Sequence, residues 1–371
     1  LSKIVVIGAG ILGASAAYQL AKSGVEVVMV DQFHEGQATD AAAGIVCPWL
    51  SQRRNQAWYQ LAKSGAKFYP ELINALEKDG EINTGYKQVG AISIRKDNNK
   101  LDAMEERVKR RREHAPEIGT ITRLNQEETK AVFPPLDEGF SSIHISGAAR
   151  VNGRALRNAL QRAAVNLGAE RIHGKAELLT DNENVNRIKV GKTLIEADKI
   201  IVTAGVWAKE ILKPLGVNFL VEAQKAQIAH LKLPGVDTST WPVVMPPSDQ
   251  YLLAFDDSRI IAGATHEDEI GLDFRVTPGG LLEIFEKALK IAPELADSTL
   301  FETRVGFRPV TPGFLPVIGP LPNFPNILVA NGLGSSGLTT GPYLGFQLAK
   351  LALNQEVEIN LEDYPIKGAI G

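Results

Sequence analysis

The 371-residue chain contains one cysteine, Cys47. A disulfide framework, a cysteine-rich metal cluster and dithiol redox chemistry each need at least a pair, so all three are excluded. The lone thiol fits a reducing compartment, and the chain is expected in the cytoplasm. No stretch of about twenty apolar residues exists, so no membrane-spanning helix is expected. The apolar run from Lys3 to Gly8 is too short for a signal peptide. A charge surplus is missing as well. With 40 basic and 43 acidic residues the net charge is −3, which gives no general attraction to nucleic acid or anionic lipid. The six histidines, His34, His114, His144, His173, His230 and His266, show no two at metal-ligand spacing. No Ser/His/Asp arrangement is evident, so neither a metal nor a nucleophile is expected. What remains is small-molecule chemistry in an ordinary globular chain, 44% hydrophobic and 22% charged, with two or three domains' worth of length.

The patterning begins with a run rich in β-branched residues, Lys3 to Ile7, without polar alternation, as expected of a central parallel strand buried on both faces. A helix is predicted over Ile11 to Ser23, with Gly24 at its end, and a second strand over Val25 to Val30. Helical pattern returns from Trp58 to Lys78. A β-like stretch, Val89 to Ile94, and a charged helix, Lys100 to His114, then interrupt the first domain. Asn152 can cap a helix running to Leu167. A strand over Arg171 to Leu178, a hairpin around Asp181 to Lys192 and a buried strand over Lys199 to Gly205 follow. Residues 217 to 300 read as β segments, Val221–Leu231, Gln250–Phe255 and Arg259–Ala264, and an amphipathic helix from Gly280 to Ala292. The last block holds a strand at Ile327 to Ala330 and a helix from Leu338 to Leu353.

Gly8-Ala9-Gly10-Ile11-Leu12-Gly13 follows the first strand and opens the first helix, the context that gives a GxGxxG match its meaning. Gly8 permits the tight turn, Gly10 lets backbone approach a pyrophosphate, and Gly13 lets helix and strand pack closely. The helix N-terminus offers unpaired N–H groups to the phosphates. Asp31 ends the second strand, where a carboxylate accepts from both ribose hydroxyls and repels a 2′-phosphate, which argues against NADP. These residues alone leave NAD and FAD open. A β-meander between two parallel strands favours FAD, because twin-Rossmann NAD enzymes place a helix there.

Beyond that fingerprint, Thr39-Asp40-Ala41-Ala42-Ala43-Gly44 is similar to the small-residue loop that passes the flavin in the D-amino acid oxidase superfamily. The resemblance continues through Val202-Thr203-Ala204-Gly205-Val206-Trp207-Ala208, Gly306-Phe307-Arg308-Pro309-Val310-Thr311-Pro312, Leu315-Pro316-Val317-Ile318-Gly319 and Gly334-Ser335-Ser336-Gly337-Leu338-Thr339. Spanning almost the whole chain, it is nearest in kind to glycine oxidases and bacterial D-amino acid dehydrogenases. It implies an α/β architecture: a Rossmann-like FAD-binding domain with a β-meander crossover, and an α+β substrate domain with a mainly antiparallel sheet. The expected divisions are residues 1–85, 142–215 and 301–371 for the first, and 86–141 and 216–300 for the second.

The resemblance further implies oxidative deamination of a D-amino acid, glycine or an N-methyl amino acid. Hydride passes from Cα to flavin N5, and the imine is hydrolysed to an oxo acid, with oxygen or a quinone-type molecule as acceptor. Arg308 is implied as the residue that holds the substrate carboxylate, a task suited to a planar guanidinium, with Pro309 biasing it toward extended backbone. Tyr251 is implied as a second carboxylate donor. Cofactor contacts are implied for Gly8, Gly10, Ile11, Leu12 and Gly13, for Asp31 and Gln32, and for Thr39, Ala42, Ala43 and Gly44. Further contacts are implied for Ala176, for Thr203, Ala204, Gly205 and Trp207, and for Gly306 and Arg308. The last group is Gly334, Ser335, Ser336, Gly337, Leu338 and Thr339, where a helix aims its positive end at the reduced ring.

Two departures stand out. Relatives often carry Gly-His where this chain has Gly332-Leu333, and sarcosine-oxidase-like relatives attach flavin through a cysteine where this chain has Gly306. Non-covalent FAD is therefore expected. Cys47, with Pro48 and Trp49, is open to two readings, an active-site lining or a buried inert thiol. Arg53 and Arg54, which follow the flavin-side loop, are open to two readings, facing an acidic substrate or solvated, and the run Arg107 to Arg112 reads as a solvated helix face. The alternatives are an NAD-linked dehydrogenase, and a non-catalytic or RNA-modifying flavin protein of the same fold. A homo-oligomer is allowed but not indicated.

Overall fold

The computed structural model describes residues 2–181 and 184–371. The first strand, Lys3–Ile7, lies inside a six-stranded sheet with neighbours Lys199–Val202 and Glu26–Asp31, both parallel to it. Phe324–Asn331 and Glu170–His173 extend the parallel set on either side, and Val317–Leu321 closes one edge antiparallel. Four of the five residues of Lys3–Ile7 are buried, which explains the unbroken apolar run: a strand covered on both faces has no solvent side to alternate with.

The helix Ile11–Lys22 is buried along almost its whole length. It packs against the helices Gly337–Ala352 and Gly153–Asn166, and its small residues are what allow three helices to meet there. A methyl group placed on Gly345 would stand 2.6 Å from the Leu12 carbonyl oxygen. Asn152 caps Gly153–Asn166 as its sequence position suggests, its side chain accepting from the Ala155 N–H at 3.1 Å.

Between Glu170–His173 and Lys199–Val202 the crossover is a three-stranded antiparallel meander, Ala176–Asp181, Asn184–Val190 and Thr193–Glu196. Residues 182 and 183 of the hairpin expected near Asp181 lie outside the described residues. The single strand expected over 171–178 is two strands in two sheets. The chain leaves the parallel sheet at His173, which pairs with Asp31, and Gly174 donates its N–H to the Asp31 carbonyl at 2.9 Å.

The second layer is an eight-stranded sheet. Its order is Thr299–Val310, Glu222–Lys232, Arg259–Gly263, Tyr251–Ala254, Val243–Met245, Ala91–Arg95, Ser141–Ile145 and Ile121–Leu124. All neighbours are antiparallel except Val243–Met245 beside Ala91–Arg95. Sequence patterning misses the twelve-residue edge strand Thr299–Val310, whose first part alternates poorly and whose end carries a proline. Pro309 is tolerated there because an edge strand has one side with no ladder to satisfy. By pairing, this strand belongs to the large sheet although most of it falls within 301–371, and so does Ser141–Ile145. No helix among the described residues is long and apolar enough to cross a membrane.

Candidate active site

A cavity of about 560 Å³ runs between the two layers. At its nucleotide end the chain turns at Gly8, whose φ of +92° disfavours any side chain. A Cβ there would also lie 2.7 Å from the Ala204 Cα. Gly13 is tighter still, since a Cβ would stand 1.9 Å from the Gly8 carbonyl oxygen. The Thr203 hydroxyl fastens this turn by donating to that same oxygen at 2.7 Å. Gly10 supplies no side-chain cap to the helix, and although Thr39 takes the Ile11 N–H, the helix N-terminus faces the cavity through Gly10, Ile11 and Leu12, a placement that suits an anion. Asp31 sits at the cavity wall beside Gln32. Burial pushes its carboxyl up, while the Ala9 N–H and the Arg157 charge pull it down.

The loop that follows is clamped to both layers. Thr39 accepts from the Ile11 N–H at 3.1 Å and also faces the cavity with Ala42, Ala43 and Gly44. Asp40 is ion-paired to Arg157, and its carbonyl accepts from Arg304 Nη1 at 3.1 Å. Arg304 is itself paired to Glu302 at 2.7 Å. Gly306 lets the edge strand come this close, for a Cβ there would meet the Ala41 methyl at 2.5 Å.

At the other end the large sheet presents one face to the cavity. Alternation along paired strands places Arg308 opposite Gln224, Gly306 opposite Ala226, and Ile228 in line with Gly263 and Tyr251. Arg308 Nη1 donates to Gln224 Oε1 at 3.0 Å and to the Thr265 carbonyl at 3.3 Å. Burial pushes the guanidinium down, and the Tyr251 phenol opposes that shift. Tyr251 is itself pushed up to about 12 by burial, with the Arg308 charge acting against it. It therefore stays a neutral donor beside a permanent cation. His266, 3.6 Å from Asp249, feels the Arg308 charge too, and burial lowers its pKa.

Two of the small-residue segments support the cavity from behind. Gly13, Ser336 and Thr339 are not part of its wall. Ser336 accepts from Trp58 Nε1 at 2.8 Å, and Thr339 donates to the Ile45 carbonyl at 2.9 Å. Gly334, Ser335, Gly337 and Leu338 do line it, at the N-terminus of Gly337–Ala352, which has no side-chain cap and no acid in its first turn. Of the other residues singled out from sequence, Ile11, Leu12, Ala176, Ala204, Gly205 and Trp207 all face the cavity. Cys47 does not. It is buried, and its thiol is pushed up to about 12, which makes it inert.

The residues fit a flavin dinucleotide. A helix N-terminus and a glycine turn with no room for a Cβ stand at one end, a half-buried Arg–Tyr pair stands at the other, and one cavity joins them. A family model described as FAD dependent oxidoreductase, DAO, matches residues 3–351. The chain belongs to this family of FAD-dependent oxidoreductases. It is 60% identical to the uncharacterized oxidoreductase YurR of Bacillus subtilis strain 168 over the full length of both. It is 28% identical to a glycine oxidase of Pseudomonas aeruginosa, covering 99% of each chain. The crystal structure of iminodiacetate oxidase, IdaA, from Chelativorans sp. BNC1 superposes with a TM-score of 0.94 at 47% identity, covering 98% of each.

Sequence reasoning missed several wall residues of this DAO-family protein. His34 stacks on Trp207 with ring centroids 4.2 Å apart, and both face the cavity near Asp31. Lys175, Glu177 and Leu178 enter the wall because the meander folds over the nucleotide end. Leu333, which stands where relatives often have histidine, is buried and faces the cavity.

Proposed function

We propose that this enzyme oxidises a small amino acid at its Cα–N bond: glycine, an N-substituted glycine or a D-amino acid. The imine product is hydrolysed to an oxo acid and ammonia or an amine. The observation that carries this reading is the Arg308–Tyr251 pair, a half-buried cation and a half-buried neutral phenol that feel each other's field in the wall of the flavin cavity. Arg308 forms parallel charge-assisted hydrogen bonds to the substrate carboxylate, and the Tyr251 hydroxyl donates a third. Ala226, Ile228 and Leu333 give the amine an apolar, water-poor surround, which favours the neutral amine over ammonium. Bound FAD supplies the hydride acceptor. The glycine at 306 offers no thiol for attachment, so the cofactor is held without a covalent bond at that position.

Two of the relatives whose names state a substrate are a glycine oxidase and an iminodiacetate oxidase, and both substrates are built around a glycine unit. Anaerobic mixing of the yellow holoenzyme with glycine, iminodiacetate, N-methylglycine and a panel of D- and L-amino acids tests the proposal. Bleaching by at least one glycine derivative or D-amino acid is expected, and no bleaching by any member overturns it. Re-oxidation by air against a quinone dye then assigns the acceptor.

A further inference from the structure

A second cavity, of about 290 Å³, is formed by residues of the helices Gln56–Lys78 and Asn98–Arg112 and the turn after them. Its wall carries Lys63, Arg107, Arg110, Arg111, His114 and Tyr59, and no carboxylate. The acids of the second helix are engaged elsewhere, Glu105 and Glu106 with Lys109, and Asp102 with Arg123. Among the described residues Arg107 has only the Met104 sulfur, at 3.9 Å, as a hydrogen-bond partner. Arg111 is committed to the protein: Nη1 donates to the Trp49 and Ser51 carbonyls at 2.6 and 2.7 Å, and the guanidinium lies over the Tyr59 ring. Tyr59 Oη, by contrast, is buried with no hydrogen-bond partner among the described residues, and Glu117 is the acid whose field reaches it.

Like charges gathered in a concavity repel one another, and a buried hydroxyl without a partner is destabilising. Both costs are relieved by one kind of occupant. We infer that this cleft binds a small polyanion, a molecule carrying at least two negative charges on phosphoryl or carboxylate oxygens. Arg107, Arg110 and Lys63 hold it by charge-assisted hydrogen bonds, and Tyr59 donates to it. The small size of the cleft and the overall charge of −3 select a compact solute over a nucleic acid or a membrane, which need an extended basic surface. The site shares no lining residue with the flavin cavity, and Arg111 holds Trp49 and Ser51 in the segment that follows Ile45.

Calorimetric titration of the holoenzyme with inorganic pyrophosphate and, separately, citrate tests this, with sodium chloride at matched ionic strength as blank. One saturable site per chain is expected for at least one of the two. A response to pyrophosphate alone assigns a phosphoryl ligand, and a response to citrate alone a carboxylate ligand. Binding is expected to weaken by at least about tenfold in the R107Q/R110Q double variant and to persist in Arg308→Ala. Flavin content and melting temperature report whether the double variant is folded, and Lys63→Gln provides a second, milder test. No saturable binding of either anion, equal binding in the charge variants, or loss of binding in Arg308→Ala overturns the inference.

Discussion

Replacing Arg308 with alanine tests the substrate anchor most directly. The side chain is half-buried in the cavity wall, and Gln224 Oε1 and the Thr265 carbonyl aim it from behind. A carboxylate bound by its fork gains two charge-assisted hydrogen bonds, each worth about 1.5–3 kcal/mol in a site of this kind. Because water and Tyr251 recover part of that, a net loss of about 3–4 kcal/mol is expected in kcat/KM, or roughly 100- to 1,000-fold. Removing the donor also takes a partner from Gln224 Oε1 and from the Thr265 carbonyl, an effect that does not depend on the substrate. The assay therefore compares two ligands in anaerobic stopped flow: an amino acid, and the corresponding amine without its carboxyl group. The parent enzyme should prefer the amino acid, and the variant should lose that preference. Added guanidinium should restore part of the amino-acid rate. If the concentration dependence of bleaching stays within about twofold of the parent, or if both ligands suffer equally, Arg308 does not bind the carboxylate.

Tyr251→Phe removes one hydrogen bond to a charged group and should raise the amino-acid concentration for half-maximal bleaching by roughly tenfold, the equivalent of about 1.4 kcal/mol. Since burial holds the phenol up to about 12, the parent should show no alkaline loss of binding from this group below roughly pH 11. An alkaline limb that vanishes in Y251F would refute that assignment. His230 gives a stability prediction. Both its ring nitrogens are buried without partners, and burial, aided by the Arg304 and Arg259 charges, lowers its pKa from 6.5 to about 3. Its folded pKa lies below its unfolded one, so above pH 6.5 it adds no pH-dependent penalty. As pH falls from there towards 3, the unfolded chain gains the proton first, and stability should drop by up to roughly 1.4 kcal/mol per pH unit. Urea unfolding of His230→Leu against the parent should show a shallower acid dependence, and parallel curves would sink the assignment.

The nucleotide-binding half was legible because its signals are local. A strand, three glycines, a helix and a terminal acid follow one another within residues 3 to 31, and each enforces its own conformation whatever lies elsewhere. Helix ends were read to within a few residues at Asn152 and at Gly337–Ala352 for the same reason. The substrate half was less legible. Arg308 stood out from its Gly-Phe-Arg-Pro context, but nothing nearby in sequence says that it rides on a twelve-residue edge strand paired with Glu222–Lys232. Likewise Arg171 to Leu178 reads as one strand, since a change of sheet at Gly174 leaves no mark in hydrophobic pattern.

Sequence by itself singled out Gly8 to Asp31 as a dinucleotide-binding pattern, excluded thiol-pair chemistry with its single cysteine, and made Arg308 and Tyr251 candidates for one site. Only tertiary structure decided that these two share a cavity wall, that Cys47 is sealed away from it, and that His34 and Leu333 complete it. Backbone geometry at a glycine turn is fixed by sterics within a few residues. The distance between side chains 57 positions apart depends on strand register and sheet order, which are set by the packing of the whole molecule.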